Sequence, residues 1–207
     1  MRSSPLSRRR RRGWIGWMAI LMLAAGAGVQ AADQSPQPAG IVRSGQILRF
    51  GDQPYLYRWS SNHQHEFTPP GQEDLSRWTD MLTINLYPSV RDGEGLADAA
   101  NRVLATYRSN SGQVVRTASV PRAAERPAEH LIVVLFPGRE AIEVAFARFR
   151  MTEGIGSAVI YSHRVHGRQA GPAMATWLEA NGPAIERRLM ALDGLPSPGQ
   201  LEPGLAR

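Results

Sequence analysis

The 207-residue chain contains no cysteine and no lysine. Without cysteine there is no disulfide, no thiolate metal site, no cysteine nucleophile and no lipid-carrying signal cleavage site. Without lysine there is no Schiff-base chemistry and no phosphate-loop lysine, so every one of the 24 basic residues is an arginine. Aromatic residues are sparse at 7%, so a local concentration of them stands out. A long apolar run occurs once, from Trp14 to Val29, and no acidic residue precedes Asp33.

These two local features belong together. Arg2 and Arg8 to Arg12 form a positive head, Trp14 to Val29 an apolar core, and Val29-Gln30-Ala31-Ala32 a small-residue exit. That is the pattern of a secretory signal peptide over residues 1–32, with cleavage expected near Ala31 or Ala32 and the periplasm as destination. The arginines stay on the cytoplasmic side while the apolar segment enters the bilayer. Retention as an inner-membrane anchor is the alternative. The general secretory route is preferred to the twin-arginine one, which Arg11-Arg12-Gly13-Trp14-Ile15 would also satisfy. The formal charge of +6 resides in this leader: without it, 18 arginines face 18 acidic residues. A nucleic-acid partner held by bulk charge is thereby excluded, and contact with the membrane is expected only through the signal peptide.

Residues 33–40 (DQSPQPAG) read as a linker, 41–193 as a single globular domain, and 194–207, rich in glycine and proline, as a disordered tail. Within the domain, Ile41 to Phe50, Pro54 to Ser60 and His63 to Thr68 look extended, with a Gly51-Asp52 corner. In Met81 to Tyr87, Leu82, Ile84 and Leu86 share one face, while Thr83, Asn85 and Tyr87 give the other a more polar character. Leu96, Ala99, Ala100, Val103, Leu104 and Tyr107 recur at helical spacing, so an amphipathic helix is expected over about 92–108, capped by Asp92. Gln113 to Val120 reads as a strand. Leu131 to Phe136 is unbroken apolar sequence, the mark of a strand covered on both faces. Ala141 to Met151 and Ser157 to His166 read as a hairpin. A C-terminal helix, or a pair kinked at Gly182-Pro183, is expected over about 172–193. The order predicts an α+β domain: an antiparallel sheet with helices packed on it.

Three sets of side chains carry candidate chemistry. Tyr55, Tyr57, Trp59 and Phe67 concentrate aromatic surface early in the domain and form a candidate binding face for a small ligand or an envelope protein. Arg148 and Arg150 share one strand face and could hold a carboxylate or phosphate, or pair with Glu143 or Glu153 on an exposed face. On an extended strand His63 and His65 point the same way, so they could ligate zinc or copper, completed by Glu66 or a distant group. No other cofactor is implied. For catalysis there is no Gly-x-Ser-x-Gly elbow. A hydrolase would have to use His163 or His130 as base, with a serine, threonine or carboxylate beside it in a cleft.

Glu66-Phe67-Thr68-Pro69-Pro70-Gly71-Gln72, followed by Trp78-Thr79-Asp80-Met81, resembles a pattern of small uncharacterised exported proteins of Gram-negative bacteria. The element order is similar to that of PsbP-like and Mog1-like domains. That resemblance implies a binding or accessory module and brings no catalytic residues with it. The sequence therefore points to a non-catalytic periplasmic accessory module, with metal binding at His63 and His65 or histidine-based hydrolysis as alternatives.

Overall fold

A computed structural model describes residues 47–124 and 126–205. The expected signal peptide, the linker and residues 41–46 of the expected first strand lie outside the described residues. The strands are β1 (Ile47–Phe50), β2 (Gln53–Ser61), β3 (Gln64–Thr68), β4 (Asp80–Tyr87), β5 (Gln113–Val120), β6 (Glu129–Pro137), β7 (Ala141–Thr152) and β8 (Ile155–His166). The helices are α1 (Gly93–Ser109), α2 (Ala170–Met190) and the short α3 (Pro198–Leu201), followed by a 3-10 turn at Pro203–Leu205. The fold is α+β, as the element order predicts.

All eight strands form one antiparallel sheet in the order β1-β2-β3-β4-β8-β7-β6-β5. Local chemistry makes the first and last four strands into two meanders. Asn62 and His63 both take positive φ at the β2–β3 corner, and Glu153 and Gly154 do so at the β7–β8 corner. That is the two-residue hairpin geometry whose twist matches the strands it joins. Between the meanders α1 carries the chain over one face to the far edge, and β8 closes the sheet by pairing along β4. Asp92 caps α1 through its side chain on Gly95 N, as its position predicts.

The helices divide the core into two layers. Leu96, Ala99, Ala100 and Val103 of α1 meet Ile132, Val134, Ala147 and Phe149 on one face. Met174, Ile185 and Leu189 of α2 meet Leu82, Val133, Phe146 and Tyr161 on the other. The β6 run is thus covered on both sides, which is why it shows no polar alternation. Pro183 lies inside one continuous helix rather than dividing a pair. Its exposed position lets water meet the carbonyl its missing N–H leaves free.

Residues 194–205 are a correction to the expected disordered tail. Ser197 and Gln200 form a reciprocal capping box with Pro198 in the first turn, which starts α3 despite the glycine and proline content. Leu195, Leu201 and Leu205 then pack on the α2-side core and hold the segment there.

Candidate functional site

The aromatic face expected from Tyr55, Tyr57, Trp59 and Phe67 does not form. Tyr55 and Phe67 are 3% and 0% exposed and belong to the α2-side core. Tyr57 is half-buried, packed edge-on against Phe67 with centroids 5.4 Å apart, and its hydroxyl donates to Ser60. A bulge between Tyr57 and Trp59 breaks the alternation: Tyr57 pairs with Phe67, but Trp59 pairs with Glu66, whose side chain leaves the other face. Trp59 alone of the four is exposed, at 37%.

Arg148 and Arg150 are not a ligand site, nor do they pair with Glu143 or Glu153. Arg148 is buried, donates to both carboxylate oxygens of Glu129 at 2.7 and 3.0 Å, and uses its remaining terminal nitrogen on the carbonyls of Leu189 and Leu192. Arg150 donates to Leu192 O and Asp193. Together they satisfy the free carbonyls at the C-terminus of α2, where the helix dipole also favours cations.

His63 sits in the hairpin turn with φ +65°, so strand alternation does not relate it to His65. The pair nevertheless converges on one distant residue. His63 Nδ1 is 2.7 Å from one oxygen of Glu202 and His65 Nε2 is 3.0 Å from the other. Burial holds the His65 pKa below its ordinary value, against the opposing pull of Glu202. Glu66, expected as the third ligand, projects from the opposite face of the sheet and is corrected out of the set. Among the described residues no three His, Asp or Glu side chains are grouped to hold a metal ion.

The two candidate bases have complementary deficits. His163 Nδ1 lies 3.0 Å from Asp80, which also accepts from Tyr161 at 2.6 Å, and Trp177 stacks on the imidazole with centroids 3.9 Å apart. Burial opposes ionisation of Asp80, but the hydrogen bonds from His163 and Tyr161 outweigh it and hold its carboxyl below the usual range. His163 therefore has an orienting acid and a stacking partner but no hydroxyl among its described hydrogen-bond partners. His130 has the opposite: Ser119 Oγ is 2.9 Å from its Nδ1, beside a hollow of about 250 Å³ between α1 and β5–β6, with no carboxylate among its described partners. Strand register puts the two on opposite faces, so they cannot combine into one triad.

Beside α1, the same face carries a polar row that the motifs did not indicate. Trp59 pairs with Glu66, Glu66 with Thr83, and Thr83 with Ile160 of the α1-side core, so all four side chains leave that face. Two residues along β8, Ser162 pairs with Met81 and Ala145; two further, Arg164 pairs with Glu143. The row runs diagonally through Glu66, Thr83, Ser162 and Glu143, and at its end Tyr107 of α1 packs edge-on against Phe136, the strand partner of Glu143, with its phenol pKa raised by burial, Tyr87 and Glu143. Glu143 takes Arg164 at 2.7 Å through one oxygen, and that guanidinium lies 3.9 Å over the Trp78 ring. The other Glu143 oxygen, Thr83 Oγ1, Ser162 Oγ and the Tyr107 hydroxyl are buried without a hydrogen-bond partner among the described residues. Burial and the Glu143 carboxylate push the Glu66 pKa up, against the Gln64 hydrogen bond and Arg164. The one sequence trace of this row was the polar face of β4, where Thr83 alternates with leucine and isoleucine.

No protein-family model matches the chain, and no curated protein matches it. Among solved structures it is similar to a Pseudomonas aeruginosa protein of unknown function, at 13% identity over 73% of this chain and 98% of that one, with TM-score 0.44. It is similar to the Saccharomyces cerevisiae Ran-binding protein Mog1p at 11% identity over 66% of this chain and 81% of that one, TM-score 0.41. Human STARD10 follows at 8% identity over 72% and 80%, TM-score 0.29. All three TM-scores lie below 0.5, so neither a fold family nor an activity is drawn from these likenesses.

Proposed function

We propose that the chain is an exported, non-catalytic accessory module of the cell envelope, which binds its ligand or partner group along the polar row beside α1. One observation carries this reading: four buried polar atoms, on Thr83, Ser162, Glu143 and Tyr107, lie on or at the end of one diagonal without a hydrogen-bond partner among the described residues. Each of these atoms exposes less than 1 Å²; leaving such a group unpaired costs roughly 1–3 kcal/mol, which a ligand group admitted by local opening of this face recovers. Export is supported by the leader-like residues 1–32 and by the balanced charge that remains without them.

Cell fractionation followed by native mass spectrometry tests both parts. The expected result is a periplasmic protein lacking its first 31 or 32 residues and carrying a non-covalent mass that leaves on denaturation. Cytoplasmic full-length protein would refute export. A bare mass, together with a Thr83→Val variant more stable than wild type, would refute binding at the row.

A further inference from the structure

The two edges of the sheet differ in what they expose. β1 presents four residues and β5 presents eight. Among the described residues, no backbone N–H or C=O of β5 is paired outside β6. Such a row invites another strand, and sheets blunt it with proline, bulges, charges or a covering helix. β5 contains no proline, and its bulge lies between Val114 and Arg116, so Arg116–Val120 keeps an unbroken register. Neither long helix covers the edge. The α1 stripe packs on Ile132, Val134, Ala147 and Phe149, and α2 packs on Leu82, Val133, Phe146 and Tyr161, all on inner strands. Val115, 48% exposed at the bulge, leaves an apolar side chain in water beside this edge.

An extended backbone row is matched by another extended backbone, and the side chains of β5 fit a second copy of themselves. About a two-fold axis through Ala118, antiparallel pairing sets Ala118 against its counterpart, Thr117 against the partner's Ser119 and Arg116 against the partner's Val120. Hydroxyl then meets hydroxyl on the α1 side of the sheet, where Thr117 and Ser119 lie opposite Ile132 and His130. Alanine meets alanine on the α2 side. The two Arg116 residues stand four positions apart along the seam, roughly 14 Å at about 3.4 Å per residue. That exceeds the screening length of about 8 Å at physiological ionic strength. Each Arg116 also has its own Glu186 at 3.4 Å. Arg122 lies past Pro121, where the chain turns into the Ala123–Arg126 bridge.

From this fit we infer that β5 is a self-association edge: two copies pair antiparallel along Arg116–Val120 and join their eight-stranded sheets into one continuous sheet. β6 separates this seam from the polar row, so the inference does not depend on ligand binding there.

Sedimentation velocity of the protein as isolated from cells, over a wide concentration range, tests this, together with hydrogen exchange at low and high concentration. The expected result is a monomer–dimer equilibrium in which the outward amides of residues 116–120 exchange more slowly as concentration rises, while those of β1 do not change. Thr117 and Ser119 are exposed, so charged residues there leave the fold intact. Thr117→Asp/Ser119→Asp and Thr117→Arg/Ser119→Arg should each weaken the dimer about tenfold or more, because like charges then stand directly opposite in two pairs. Mixing the two variants should restore it as a heterodimer. A monomer at every concentration, β5 exchange that ignores concentration, or a dimer that both charged variants leave intact overturns the inference. Should a charged variant fail to fold, the wild-type exchange alone decides.

Discussion

Replacing Arg148 with methionine keeps most of the side-chain volume and removes the four hydrogen bonds that Arg148 makes at the junction of β7, β6 and the end of α2. In the wild type this guanidinium holds Glu129 through two oxygens and caps the Leu189 and Leu192 carbonyls. The variant leaves Glu129 ionisable, 8% exposed and without its cation. Breaking a buried pair from one side costs about 3–5 kcal/mol, because the remaining charge is uncompensated. At a urea m-value of about 2 kcal/mol/M, the unfolding midpoint should fall by about 2 M with m unchanged. The double variant Glu129→Leu/Arg148→Met removes the stranded charge as well and should recover most of that loss. A single-variant shift below about 0.5 M, or a double variant as unstable as the single, would refute this account.

Truncation after Asp193 removes Leu195, Leu201 and Leu205 from the α2-side core and should cost about 3 kcal/mol by denaturant melt, at about 1 kcal/mol for each half-buried leucine. Acidification acts on His65. Its folded pKa lies below the ordinary 6.5, so once the pH drops below about 6.5 the unfolded chain binds a proton that the folded chain resists. Stability contributed by the neutral imidazole is complete above that pH and is lost as pH falls toward the lower folded value. His65→Gln should flatten the stability–pH slope in that window, while an unchanged slope would show that His65 is not its source. Gly112→Ala sets a methyl 2.6 Å from the Tyr107 carbonyl and 2.8 Å from Val134, where the backbone cannot retreat. The expected cost of about 2 kcal/mol should lower Tm by about 4–8 °C in a thermal scan.

Periodicity made most of the architecture legible. The α1 stripe from Leu96 to Tyr107, the unbroken β6 run and the β7–β8 hairpin each need only their own neighbours to declare themselves. The site was far less legible, because its members are far apart in the chain. Glu202 reaches His63 and His65 from 139 and 137 residues away. Thr83, Ser162 and Glu143 become neighbours only because β8 pairs with both β4 and β7. One extra residue at the β2 bulge was enough to turn Trp59 away from Tyr57 and toward Glu66. The absence of cysteine and lysine, the arginine-rich leader pattern, the charge balance beyond it and the α+β order follow from the sequence by itself, since composition and short-range pattern carry them. Whether an aromatic is core or surface, which carboxylate meets which arginine, and which polar atoms go unpaired were decided by the tertiary structure, because strand register sets the face each side chain leaves from.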